Sequence, residues 1–254
     1  MDLSDLPTSS NQINEKQRQT ENIANINAYQ EHDQQLISLK TQPIEEFRGR
    51  FKSEIRPKGA KKRDGTPQVT EKSPVYFADR NGNHFLELLI RPKLIFNKEP
   101  FPRDRAQIRA SILTIPINGY VYVHPYFKFY QREKSDELSW VNPIYIDLAS
   151  ENGYKDVTET DELLSVILKL PVVMLKKEEV TGKALEPFAF YQDGQVDTKK
   201  YTHWDKMNEK FKLNDIRFAF VLRVKNLNNE GYNEYTEQIY ISEISTQNRK
   251  VKFY

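Results

Sequence analysis

The chain has 254 residues, 38% hydrophobic and 29% charged, with a formal net charge of +2. That apolar share lies below the roughly 45–50% of an ordinary globular domain, so part of the chain is expected not to pack on itself; the near-neutral balance excludes a global field that steers partners. The absence of cysteine excludes disulfides, a thiolate nucleophile and sulfur-ligated zinc.

The opening stretch, "MDLSDLPTSSNQ", has neither a basic n-region nor an apolar h-region, so no signal peptide is expected. Residues 1–47 read as a polar N-terminal arm. Asn11 to Lys40 is dense in Asn and Gln, and Ile23, Ile26 and Tyr29 form only a thin helical stripe. Such a stripe does not hold an isolated helix together in water. The arm is therefore expected to be extended or partly helical and to order only against a partner, the alternative being a disordered tail. Residues 48–254 read as a β-rich globular domain.

Charge reverses at this boundary. Met1 to Phe47 carries three Lys/Arg against eight Asp/Glu, and Arg48 to Gln68 carries eight against two. The loop "RPKGAKKRDGTP" holds Arg56, Lys58, Lys61, Lys62 and Arg63 among two glycines and two prolines, so it is expected to be exposed. Such a cluster grips phosphates or an acidic protein surface, or is simply solvated.

Beyond it the period of hydrophobicity is mostly two, that of strands. Val75–Ala78 and His84–Ile90 are expected to form a hairpin around Asn81-Gly82, whose residues tolerate positive φ. Gln107–Ile115 and the aromatic stretch from Tyr120 flank a second such turn at Asn118-Gly119. Pro143–Leu148, Pro187–Gln192, Asp215–Lys225 and Glu237–Ser245 follow as strands. Thr160–Leu170 is expected to be a helix, with Asp161 and Glu162 at its positive end and Pro171 stopping it; a second helix is expected over Tyr201–Phe211. The longest nearly apolar run, Leu163 to Leu175, is interrupted by Ser165, Lys169 and Pro171 and is too short to span a bilayer, so no membrane partner is expected. The sum is a mainly-β fold, a sandwich or barrel of about eight strands with one or two short helices.

Two strands carry distinct faces, because successive side chains point to opposite sides. In "YVYVHPYFKFYQRE" the odd positions Val121, Val123, Pro125, Phe127 and Phe129 form an apolar set. The even positions are Tyr120, Tyr122, His124, Tyr126, Lys128 and Tyr130. Pro125 removes a ladder donor, so the strand is expected to bend, bulge or lie at an edge there. Tyrosines in this pattern serve a protein interface, stack on bases, or pack under another part of the same chain. In the other strand, Ile216, Phe218, Phe220, Leu222 and Val224 form a core face, and Arg217, Arg223 and Lys225 mark the opposite face as basic. Basic and tyrosine faces side by side would make an oligonucleotide-binding surface of the OB-fold kind.

Catalytic signatures are missing. The four histidines have no metal-ligand spacing, and "DRNGNH" departs from a calcium loop at His84 and Ile90. No phosphate-cradling glycine loop and no serine elbow occurs. His203 and Asp205 stand two apart, which on a helix makes them diverge. No cofactor, metal or enzymatic activity is expected. The expected function is a non-enzymatic structural or adaptor subunit of a large assembly, in context a phage virion component such as a tail, connector or capsid-associated ring protein. The alternative is a single-stranded nucleic-acid-binding protein with an OB-like barrel. Expected partners are further copies of the chain and other proteins, with nucleic acid as a further class; the expected location is the virion or the cytoplasm.

Overall fold

The computed structural model describes residues 35–51, 54, 60–61, 67–68, 76–96, 101–117, 119–132, 138–149, 157–159, 163–192, 196–226, 231–235 and 238–248. The strands in chain order are β1 (Ile37–Leu39), β2 (Glu46–Phe47), β3 (Arg50–Phe51), β4 (Ala60–Lys61), β5 (Pro67–Gln68), β6 (Leu86–Ile90), β7 (Ala106–Leu113), β8 (Tyr120–Tyr122), β9 (Phe127–Arg132) and β10 (Leu138–Val141). They continue with β11 (Ile144–Asp147), β12 (Val157–Glu159), β13 (Leu164–Leu168), β14 (Val172–Met174), β15 (Pro187–Gln192), β16 (Asp215–Lys225), β17 (Tyr232–Glu234), β18 (Tyr240–Ile241) and β19 (Ser245–Gln247). The fold is mainly β, a sandwich and not a closed barrel.

The largest sheet runs β11-β7-β16-β19-β2, with β17 and β18 also pairing with β16. Its spine is the antiparallel pair β7 and β16, in register from Arg217↔Leu113 to Val224↔Ala106. On the inner face large residues sit beside small ones: Phe220 faces Ala110 and Val224 faces Ala106. Ile216, Phe218, Phe220, Leu222 and Val224 are all buried, as the alternation predicts. This face shares one hydrophobic core with residues of two four-stranded sheets, β1-β6-β13-β12 and β10-β9-β14-β3. Phe218 is central to it, with ring centroids 4.8 Å from Phe77 and 6.3 Å from Phe129.

Several expectations are corrected. The segment expected as a helix over Thr160–Leu170 contains β13. Leu164, Val166 and Leu168 are buried and alternate with half-buried Ser165 and Ile167, and they pair antiparallel with Ile90, Leu88 and Leu86. The period of two and the β-branched Val166 and Ile167 favour a ladder over a turn of helix; residues 160–162 lie outside the described residues. The hairpin expected around Asn81-Gly82 keeps its turn but not its ladder. Asp79 accepts hydrogen bonds from the Asn81 and Asn83 amides and Gly82 has φ 82°, yet Tyr76 bridges Pro171 instead of β6. The turn before Tyr120 is as expected, with Ile117 and Tyr120 exchanging backbone hydrogen bonds around Gly119 at φ 79°. The second helix spans Trp204–Phe211 and buries Met207 and Phe211. Residues 1–34 of the expected arm lie outside the described residues, but Leu36, Ile37 and Leu39 are in the core and β1 pairs with β6. No helix among the described residues is long and apolar enough to cross a membrane.

One short stretch stitches the sandwich shut. β2 pairs parallel with β19 in the large sheet, and β3 pairs parallel with β14 in a four-stranded sheet. Between them stands Gly49, where an added Cβ would meet Met174 Sδ at 2.8 Å and Phe127 Cε1 at 3.0 Å. The absence of a side chain at residue 49 lets the crossing pack this closely on Met174 and Phe127. Gly49→Ala is expected to destabilise the protein by about 1–3 kcal/mol through overpacking, read as a lower urea midpoint with an unchanged m-value. An unchanged midpoint would show that Met174 yields freely.

Candidate nucleic-acid interface

The tyrosine face is interior to this chain. Tyr120, Tyr122, His124 and Tyr126 are all buried. The chain bends at residues 123–126, as Pro125 predicts, and passes from β8, which pairs with β15, to β9, which pairs with β10 and β14. Tyr122 packs edge-on against Phe211 at 5.4 Å, and Tyr126 lies 4.5 Å from Trp204. The Tyr122 hydroxyl accepts from the Asp197 amide at 2.9 Å. Lys128 is half-buried, and burial lowers its pKa against the opposing pull of Glu186. Tyr130 packs against Trp140 at 5.3 Å. Tyr122 and Tyr126 pack on the helix Trp204–Phe211, and with Tyr120 also buried these three rings form no open stacking platform. The other parity of β8 is buried too: Val121 and Val123 cluster with Leu113, Phe188 and Ala219 on the far side of the large sheet.

His124 is the most constrained of the set. Its Nδ1 accepts from the Tyr126 and Phe127 amides at 3.2 and 3.0 Å, which fixes the neutral imidazole. Burial, with a smaller contribution from Lys128, pushes its pKa down to about 3; the Asp215 backbone acts weakly in the opposite sense. Nε2 makes no hydrogen bond of full geometry.

The basic face expected on β16 is also reduced. Arg217 Nε donates to the Ser242 carbonyl at 2.7 Å, and Ala219 and Val221 are covered. Arg223 is clamped between Tyr145 and Tyr232, 4.6 and 4.5 Å from their ring centres, and pairs with Glu234 at 2.8 Å. Arg109 pairs with the same carboxylate at 3.1 Å. Lys225 is exposed beside Asp104, Arg105 and Asp147 in a separate cleft. The arginines of this face are held by Glu234 and the Ser242 carbonyl, and the buried tyrosines of β8 share no open groove with them.

Basic residues converge elsewhere. β2 is parallel to β19 and β3 to β14, and the ends of β14 and β19 come together, since Lys177 and Gln247 line one cleft. Arg48 follows β2, and the Asn248 amide beside it donates to the Phe47 carbonyl at 2.8 Å. Leu175, Lys176 and Lys177 follow β14. Arg48, Lys176 and Lys177 are exposed, and Arg50 is half-buried in β3. In sequence, Lys52 follows β3, and Arg249 and Lys250 follow Asn248. Arg56, Lys58, Lys62 and Arg63 lie outside the described residues; the backbone of Lys61 pairs with Pro67 in the small hairpin β4-β5. Sequence reading noticed the basic runs and missed Lys176, Lys177 and their common exit, because parallel pairing between residues over a hundred positions apart leaves no local signal.

At the same end, Lys177 and Gln247 line a cleft of about 340 Å³ with Tyr126, Trp204, Asn208 and Asn214. The Lys177 ammonium sits 5.2 Å above the Trp204 ring centre. On two of these lining residues, Asn208 Oδ1 and Gln247 Nε2 are buried from solvent and have no hydrogen-bond partner. Among the described residues no group of three or more His, Asp or Glu could hold a metal ion.

No protein-family model matches the chain, and no curated protein matches it. Among solved structures a DNA-bound Dorsal homologue, Gambif1, is similar at a TM-score of 0.40 and 13% identity, over 83% of this chain and 97% of that one. The expectation of a phage structural or adaptor subunit is withdrawn: Tyr120, Tyr122, His124 and Tyr126, offered as the subunit contact, are interior to the chain. The OB-like single-strand mode goes with it, since the fold is not a closed barrel and its stacking rings are covered.

Proposed function

We propose that this chain is a non-enzymatic nucleic-acid-binding β-sandwich that holds the phosphate backbone at the end where β2, β3, β14 and β19 finish. The observation that carries this reading is the pair of parallel registers, Thr246↔Glu46 with Gln247↔Phe47 and Val173↔Arg50 with Met174↔Phe51. The second ends β14, and so starts its following lysines, beside Phe51 within the run from Arg48 to Gln68, which holds eight basic residues against two acidic ones. The C-terminal Arg249, Lys250 and Lys252 continue from the same place in sequence. A local cluster of this sign suffices for phosphate contact even at a net charge of +2, because counterion release depends on the contacts and not on the whole chain.

The test is anisotropy of a labelled blunt DNA duplex titrated with the full chain from about 50 to about 200 mM salt, where several phosphate contacts cost orders of magnitude in affinity. Arg48→Glu with Lys176→Glu is expected to weaken binding at least about tenfold and to reduce the log–log salt slope by about 2. Absence of binding at low salt, or a slope unchanged by the double variant, would overturn the reading.

A further inference from the structure

We propose that the free edge of β11 is a homodimerisation site, where a second copy of this chain adds its own β11 in two-fold antiparallel pairing. β11 ends the large sheet, and among the described residues it pairs only with β7. The bonding of that ladder shows which backbone groups are left. The Leu148 amide donates to the Ala106 carbonyl at 2.8 Å, and along an antiparallel strand residues bonded to one neighbour alternate with residues turned away from it. Ile144, Ile146 and Leu148 therefore bond to β7, while Tyr145 and Asp147 turn their N–H and C=O groups outward. Before the strand, the Asn142 side chain continues the register, accepting from the Ile112 amide at 2.9 Å and donating to its carbonyl at 2.7 Å. This pins the edge from the β7 side. Outward groups on an edge strand are a template for a further strand.

The edge is complementary to itself. A two-fold axis at Ile146 sets Tyr145 of each copy opposite Asp147 of the other, and each such pair exchanges both N–H···O bonds, so every outward group is used. The side chains agree with this register. Asp147 is exposed and its Oδ1 accepts from Gln107, leaving Oδ2 for the phenol of the other copy, at a cross-strand Cβ spacing of about 4.5–5.5 Å. Tyr145 is 48% exposed, and Arg223 braces its ring at 4.6 Å, so pairing costs it little side-chain freedom. Neighbouring registers are worse. An axis at Asp147 opposes two carboxylates, and an axis at Tyr145 sets Asp147 opposite Pro143, which has no N–H to donate. On the inner face the favoured register extends the core, with Ile144 opposite Leu148 and Ile146 at the axis. A foreign peptide satisfies the backbone groups equally, but does not account for this match of side chains to their own two-fold positions. The ladder is short, so the contact belongs to the weak class below about 1,200 Å², with a dissociation constant expected at micromolar or above. The pairing needs no nucleic acid, so it stands apart from the phosphate-binding reading.

Sedimentation equilibrium of the full chain, without nucleic acid, over a concentration series from micromolar upward is the first measurement. The mass is expected to rise from 30.0 kDa toward that of a dimer. Tyr145→Asp sets like charges opposite each other in both pairs and should weaken dimerisation about tenfold. Adding Asp147→Lys should restore it, because opposite charges then face each other; a merely structural role for Tyr145 gives no such rescue. Ile244→Asp, at another exposed apolar site, should leave the dimer unchanged. The chain has no cysteine, so the register can be read by mixing Tyr145→Cys with Asp147→Cys chains under mild oxidation. The mixture should form disulfide-linked dimers faster than either chain alone, since only unlike chains bring the two Cα atoms within the roughly 4.4–6.8 Å that a disulfide spans. Urea midpoints check that each variant is folded; should Tyr145→Asp fail to fold, the cysteine mixture decides. A monomer at every concentration overturns the proposal and leaves a strand of another protein as the occupant of the edge. A dimer indifferent to Tyr145→Asp, or cross-linking no faster in the mixture, overturns it as well, because the copies then meet through another face.

Discussion

Phe218→Ala is expected to destabilise the protein by about 3–5 kcal/mol, the range for emptying a buried aromatic site. Phe218 is fully buried at the point where the three main sheets share their core. Its ring touches Phe77 edge-on at 4.8 Å, lies 6.3 Å from Phe129 and stacks at 6.3 Å on Phe220. Phe77 in turn contacts Phe47 at 4.8 Å, and Phe47 contacts Phe127 at 5.4 Å. Removing the ring therefore leaves a void bounded by rigid aromatics that relax little, which places the expected cost toward the upper end. Its backbone is held independently by reciprocal bonds with Ser242: the Phe218 amide donates to Ser242 Oγ at 2.9 Å, and the Ser242 amide to the Phe218 carbonyl at 2.8 Å. The loss should thus appear as a lower urea midpoint with little change in m. Val196→Ala, at an exposed site, is the control and should change stability by less than about 0.5 kcal/mol. Equal midpoints for the two variants would show that the sheets do not pack through Phe218.

The strand Asp215–Lys225 was legible because one strong alternation, Ile216 to Val224, spans five buried positions. The turn at Gly119 was legible because positive φ demands a particular chemistry. The aromatic stretch defeated parity for a physical reason: β8 is covered on both sides, by Phe211 against Tyr122 and by Ala219 against Val121 and Val123. Burial on both sides erases the contrast on which alternation depends. β13 was mistaken because five residues of Leu, Ser, Val, Ile and Leu match either period, and the acidic residues and Pro171 around them imitate helix ends. Leu36 to Leu39 was hidden by the polar composition of its neighbours. The candidate site was half legible. Its charge was on the page, but Lys177, Trp204, Asn208 and Gln247 meet only through tertiary contacts between a helix and the ends of two non-adjacent strands.

His124 should make the protein acid-labile over a window that opens well above the carboxylate range. Its pKa in the folded chain is about 3, against an ordinary value of 6.5, chiefly because burial disfavours the imidazolium. The unfolded chain therefore takes up a proton below the ordinary value while the folded chain does not. The stabilisation from keeping His124 neutral is fully present above that value and is lost progressively as pH falls toward the folded pKa. At about pH 5 the loss should be about 2 kcal/mol relative to about pH 7.5, since each pKa unit is worth about 1.4 kcal/mol. His124→Asn keeps an acceptor, Oδ1, for the Tyr126 and Phe127 amides that now bond to Nδ1. It should cost about 1–3 kcal/mol at neutral pH through the smaller side chain and the altered polar contacts, while abolishing most of the acid-dependent slope. The measurement is urea unfolding of both proteins across this range. Parallel pH dependences for the two would exclude His124 as the titrating group. Convergence toward low pH is the expected result, because the variant has no imidazole whose unfolded form gains a proton.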